Sequence, residues 1–115
     1  MKNTFNTTTI YLIECINEYD EPIYKIGHTK NNPIKRLNQL QTGNGRKLKL
    51  VGEYLTRYGT KLEKTLHRHY SNLNITNEWF RLSFEDVINF KKTCDTIENG
   101  MRALDESNNY YFNKL

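Results

Sequence analysis

The sequence predicts an α+β domain, a small central antiparallel sheet of about three strands with helices packed around it. Three features predict it. A β-branched and aromatic run from Thr8 to Ile16 is followed, after a polar loop, by a shorter run from Ile23 to His28. Directly after them, Asn32-Pro33 is a helix-start signal. Further on, apolar residues recur at steps of three and four, over Thr60 to Leu73 and again from Val87 to Leu104.

The loop Asn17 to Pro22 is short enough to make the first two strands an antiparallel hairpin. In the first helix Asn32 caps free backbone amides, and Pro33 has no amide to leave unpaired. Ile34, Leu37 and Leu40 form its apolar face and Gly43 its stop. Lys47 to Tyr58 reads as a third strand, with Leu48, Leu50 and Tyr54 on one side and Lys47, Lys49 and Glu53 on the other. Leu62, Leu66, Tyr70 and Leu73 then mark an amphipathic helix. Glu78-Trp79-Phe80-Arg81-Leu82 is a short extended piece, its Trp and Phe reading first as core. Ser83 with Asp86 resembles a capped helix start, and Val87, Phe90, Cys94, Ile97, Met101 and Leu104 form a stripe expected to pack on the domain's own core. A polar and aromatic tail follows from Ser107.

Length and composition bound the function. The 115 residues make one domain, 1–115, with the motif-bearing core at about 8–82 and a final helix and tail over 83–115. That leaves no room for a separate recognition domain, so strong sequence specificity is not expected. No apolar run approaches the roughly 20 residues that cross a bilayer, and Met1 to Thr9 has no apolar signal core. The expected location is therefore intracellular, the cytoplasm, including that of a phage- or virus-infected host, with no membrane partner. Cys15 and Cys94 are expected as buried thiols rather than a disulfide, and no Cys and His spacing supports a structural metal. With 17 Lys and Arg against 13 Asp and Glu, the net charge of +4 favours a polyanionic partner.

The chemistry-bearing residues fall in a fixed order: Tyr11 on the first strand, Lys25-Ile26-Gly27 on the second, Arg36-Leu37-Asn38-Gln39-Leu40-Gln41-Thr42-Gly43 on the first helix, then Glu63 with Leu66-His67, then Glu78-Trp79-Phe80. Thr9-Ile10-Tyr11 looks like a Gly-Ile-Tyr element, and Lys25-Ile26-Gly27 looks like a Tyr-Ile-Gly element with its Tyr replaced. In this the chain resembles the GIY-YIG nuclease superfamily. The likeness is closest to a compact branch common in phages and in the meiotically up-regulated nuclease-like proteins. Each motif is weak alone; their order and short spacers, from Ile10 to Leu82, carry the resemblance.

The resemblance implies a GIY-YIG-like fold and a metal-dependent endonuclease that hydrolyses phosphodiester bonds of nucleic acid, DNA being the expected substrate. One Mg²⁺ or Mn²⁺ ion is implied, with Glu63 as its ligand, since Mg²⁺ is commonly held by one carboxylate and several waters. Arg36 is implied as the phosphate clamp, a task suited to its planar fork. Tyr11 is implied to orient or deprotonate the water, which a phenol does near neutrality only beside a cation. Lys25 departs from the pattern and supplies either that cation or a phosphate contact. His67, on the helical face of Glu63, and Asn77 complete the expected helpers. Arg46, Lys47 and Lys49, after the Gly43-Asn44-Gly45 turn, are candidates for holding a nucleic-acid backbone.

Plainer readings of the same residues stand beside these. Tyr11 suits a half-buried strand, Arg36 beside Lys35 suits a solvated helix face, and Arg46 to Lys49 suit a solvated loop. Thr60-Lys61-Leu62-Glu63 is also a capping-box pattern, which would turn Glu63 back onto its own helix end. Two other classes of function remain: a binding module of the same fold in which the Lys25 replacement has removed cutting, and an interaction protein that dimerises through its final stripe. A monomer is expected.

Overall fold

The computed structural model describes residues 7–114, with side chains to residue 107. Five strands form one antiparallel sheet in the order β3-β1-β2-β5-β4: β1 Thr8–Ile16, β2 Pro22–Thr29, β3 Leu48–Thr56, β4 Asn74–Thr76 and β5 Trp79–Phe80. The α+β class is as expected, with five strands in place of about three: β5 falls within the short extended piece expected at Glu78 to Leu82, and β4 is additional. Strands of two and three residues are too short to show an alternating pattern.

The hairpin of β1 and β2 is the centre. Tyr11 lies opposite Gly27 and Ile13 opposite Lys25, while Ile10 lies opposite His28 and Leu12 opposite Ile26. Alternation divides the sheet into two faces. Helix α1 (Pro33–Gln41) covers one, where Leu37 and Leu40 pack with Tyr11, Ile13, Cys15, Leu48, Leu50 and Trp79. Helices α2 (Gly59–His69) and α4 (Phe90–Lys114) cover the other, over Ile10, Leu12, Tyr24, Ile26 and Phe80. Between them, Ser71–Leu73 is a single 3₁₀ turn and α3 spans Phe84–Ile88.

The start signals behave as their chemistry dictates. Ile34 N donates to Asn32 Oδ1 at 2.8 Å with Pro at the head of α1, and Ser83 and Asp86 form a reciprocal capping box on α3. Gly43 follows the end of α1 with a φ of +79°, a left-handed conformation that suits glycine. The thiols of Cys15 and Cys94 are free and buried.

Five expectations need correction. Ile34 is 51% exposed, because only Leu37 and Leu40 of α1 reach the sheet. In β3 the register shifts so that Leu12 faces Gly52 and Ile13 faces Leu50, leaving Val51 as an extra residue. Leu48 and Leu50 therefore lie on the α1 face and Tyr54 on the other. The helix expected over Thr60 to Leu73 ends at His69, and Leu73 is part exposed. The tail from Ser107 continues α4 to Lys114, and the side chains of Tyr110, Tyr111 and Phe112 lie outside the described residues. The final stripe packs inward through Phe90, Cys94, Ile97 and Met101, while Leu104 stays exposed.

Polar bonds tie α4 to the sheet. Buried Glu98 accepts hydrogen bonds from Thr56 Oγ1, from Tyr54 Oη at 3.2 Å and from Arg102 Nη2 at 2.8 Å. Burial, together with the charges of Glu98 and Asp95, raises the Tyr54 pKa. Burial and a hydrogen bond to Glu14 push Tyr24 up to about 12. Both phenols thus stay protonated in the fold at a pH where the unfolded chain ionises them. Their contribution is complete below about pH 10 and should fall as pH rises toward 12. Urea unfolding across that range should show a declining midpoint, less steep in Tyr24→Phe; identical slopes would contradict the assignment.

Candidate active site

Helix α2 begins at Gly59 with Tyr58 as its N-cap, and no side chain caps it. Thr60 is thus already inside the helix, and Glu63 lies in its body instead of at its end. The capping box suggested by Thr60 and Glu63 does not form, because the chain enters the helix earlier than that pattern requires. A cause is visible at Gly59, where any Cβ would come within 2.7 Å of the Thr8 side chain. Glycine lets the helix start press directly on the first residue of β1.

Glu63 is engaged instead by two imidazoles. His28 Nδ1–H donates to Oε1, a pair closer than ordinary hydrogen-bond length, and His67 Nε2 lies 3.5 Å from Oε2. His67 Nε2 also donates to the Ile26 carbonyl at 2.9 Å, which places its proton on Nε2 because a carbonyl only accepts. The ring packs 5.1 Å from that of Phe80. The three side chains are partly exposed, Glu63 least at 14%. Sequence spacing singles out His67 but not His28, since one His after Gly27 on a strand carries no signal until α2 is laid over β2.

This cluster sits where β2 lacks an outer neighbour. Strand β5 pairs with β2 only at Tyr24 and Lys25, so Gly27 to Thr29 have no strand beyond them among the described residues. Tyr11 approaches the same stretch from the opposite face. Its ring is buried, and a Cβ on Gly27 would overlap its hydroxyl and come within 2.5 Å of its Cζ. The phenol and the carboxylate therefore flank one short segment, Gly27–His28, at the sheet's open edge.

The other expected residues divide. Arg36 is half-buried on α1, over the Tyr11 face, and its guanidinium makes only a 3.5 Å contact to Gln39 Oε1 among the described residues. Lys25 shares that face; its ammonium is 2.7 Å from Glu78 Oε1 and 5.8 Å from the centre of the Trp79 ring. Glu78-Trp79-Phe80 is thus explained residue by residue: Glu78 pairs with Lys25, Trp79 lies beneath it, and Phe80 faces the opposite core. Asn77 is not at Glu63. It forms the β4–β5 turn with a φ of +49° and lines a pocket with His67. Arg46, Lys47 and Lys49 lie at the far end, where Arg46 reaches the Ile16 carbonyl at 3.4 Å and Lys49 pairs in register with Glu14. Five residues of strand separate Ile16 from Tyr11, about 17 Å. Tyr11 and Glu63 therefore flank one edge from opposite faces, Arg36 lies on α1 over the Tyr11 face, and no direct bond joins the three.

Among the described residues no group of three or more His, Cys, Asp or Glu is arranged to hold a metal ion. The donor set fits a different kind of site. A carboxylate offers about four lone-pair positions, and His28 and His67 leave Glu63 with some of them, enough for an ion whose remaining ligands are water.

The protein is thus a small α+β domain, basic overall, with a carboxylate and two imidazoles at the open edge of its antiparallel sheet. The T5orf172 domain family matches residues 8–95, and the chain belongs to that phage-associated, nuclease-related family. No curated protein and no solved structure gives a significant match. No helix of the described residues is long and apolar enough to cross a membrane.

Gly27→Ala should displace the Tyr11 ring and destabilise the domain by about 1–3 kcal/mol, the usual range for overpacking. Chemical denaturation measures this, and an unchanged midpoint would mean that Tyr11 does not lie against Gly27.

Proposed function

We propose that the chain is a metal-dependent endonuclease of GIY-YIG type that hydrolyses phosphodiester bonds of nucleic acid, DNA being the expected substrate. The observation that carries this reading is the state of Glu63, which is free of its own helix end and held between His28 and His67 at the open edge of β2. A carboxylate placed only to cap a helix would have no reason to be held there.

In this reading the scissile phosphate lies along the open edge of β2. Glu63 holds a single Mg²⁺ or Mn²⁺ ion, which would stabilise charge on the phosphoryl oxygens and the leaving 3′ oxygen. Arg36, with donors unspent, clamps the phosphate. Tyr11 orients the attacking water from the other face. His28, with Nδ1 committed to Glu63, has Nε2 left to position water or the leaving oxygen, and His67 supports the carboxylate. Lys25 acts through its pairing with Glu78, holding β5 against β2. Arg46, Lys47 and Lys49 extend the contact with the strand at a distance from the cut.

A second reading is favoured by Lys25 itself. It stands where the family resemblance expects a Tyr, and its ammonium is already paired. On that reading the domain binds nucleic acid without cutting it.

Incubation with plasmid and single-stranded DNA, with Mg²⁺ or Mn²⁺ and with chelator, distinguishes the two. Cutting should require the ion and fall at least about 10²-fold in Glu63→Gln. Tyr11→Phe should lower the rate by about 10² to 10⁴-fold if the phenol handles the water's proton. Retained binding without cutting under every condition selects the second reading.

A further inference from the structure

Behind His67, a pocket of about 300 Å³ opens between the end of α2 and the β4–β5 hairpin, lined by His67, Arg68, Ser71, Asn74, Asn77 and Phe80. Its size is at the lower end of small-ligand sites, roughly 300–1,000 Å³. Most of its polar groups are uncommitted. Asn74 Nδ2 donates to the carbonyls of Asn77 and Trp79, which leaves its Oδ1 without a partner among the described residues. The Ser71 hydroxyl, the Asn77 side-chain amide and His67 Nδ1 likewise make no hydrogen bond to a described residue. Donors and acceptors are thus mixed on one wall, beside the part-exposed His67 ring, which lies tilted at 57° against the buried Phe80 ring.

We infer that this pocket receives a single unstacked nucleobase of the bound strand, next to the scissile phosphate that the reading above places along the open edge of β2. Paired amide and hydroxyl groups beside aromatic rings match the hydrogen-bonding edge and the flat face of a base. A phosphate would call for cations, and Arg68 is the only one here. The link to Glu63 is His67, whose Nε2 faces the carboxylate while its ring lines the pocket. A base can enter only after leaving the duplex stack, so the substrate class is single-stranded or locally opened nucleic acid. The inference rests on the nucleic-acid reading above and adds to it the form of the substrate.

Binding is measured with the whole chain in chelator, by fluorescence anisotropy, for a short single-stranded DNA, its duplex, and the same strand with single abasic positions. The single strand should bind about tenfold or more tightly than the duplex, and one abasic position should remove most of that advantage. Asn77→Gly keeps the turn, because glycine adopts a φ of +49° readily. It and Ser71→Ala should each weaken the intact strand about fivefold to tenfold and leave the abasic strand unchanged. Equal affinity for strand, duplex and every abasic strand, or unaltered binding by both variants, would overturn the inference. Cutting in Mg²⁺ is scored separately. A chain that shows the base dependence without cutting keeps the pocket and loses the hydrolase, whereas one that cuts intact and abasic strands alike loses the pocket and keeps the hydrolase.

Discussion

The site depends on one contact, the approach of Gly59 to Thr8. Because no side chain separates them, α2 begins hard against the start of β1, and every later position on that helix is set by this start. Leu62 and Leu66 enter the core over Ile10, Leu12 and Ile26. Glu63, one residue beyond Leu62, then falls over His28, and His67, one turn further, reaches the Ile26 carbonyl. A helix begun one residue later would turn Glu63 by about 100° and separate these groups.

A second constraint is the shortness of β5. Pairing β2 at only two positions, it completes the sheet around Tyr24 and Lys25 and leaves Gly27 to Thr29 open. The salt bridge of Lys25 with Glu78 and the packing of Trp79 hold this small strand in place, so a residue at a position expected to serve chemistry also defines where the edge begins. The open backbone there is not left wholly unsatisfied, since His67 supplies a donor to Ile26.

The edge is also where the two faces of the sheet communicate. Gly27 has no side chain, and the buried Tyr11 ring occupies the space above it. A phenol from one face and a carboxylate with two imidazoles from the other thereby flank the same stretch of edge, although neither reaches the other through the sheet.

Much of this architecture is carried by local sequence. The hairpin of β1 and β2, the cap at Asn32 and the capping box at Ser83 follow from side-chain shape and nearby hydrogen bonding, and those interactions need no tertiary partner. The membership of Glu63 and His67 in one cluster is likewise legible, because four residues on a helix share a face. Three things were decided only by the fold. The bulge at Val51 exchanged the faces of β3, since registration with β1 outweighs alternation read along one strand. The packing of α2 on β1 settled that Glu63 faces His28 and does not cap its helix, a point the sequence, with its competing capping-box pattern, leaves open. The β4–β5 turn took Asn77 from the carboxylate to the far side of His67, because a strand pair of such short length is held by contacts with β2 and not by its own sequence.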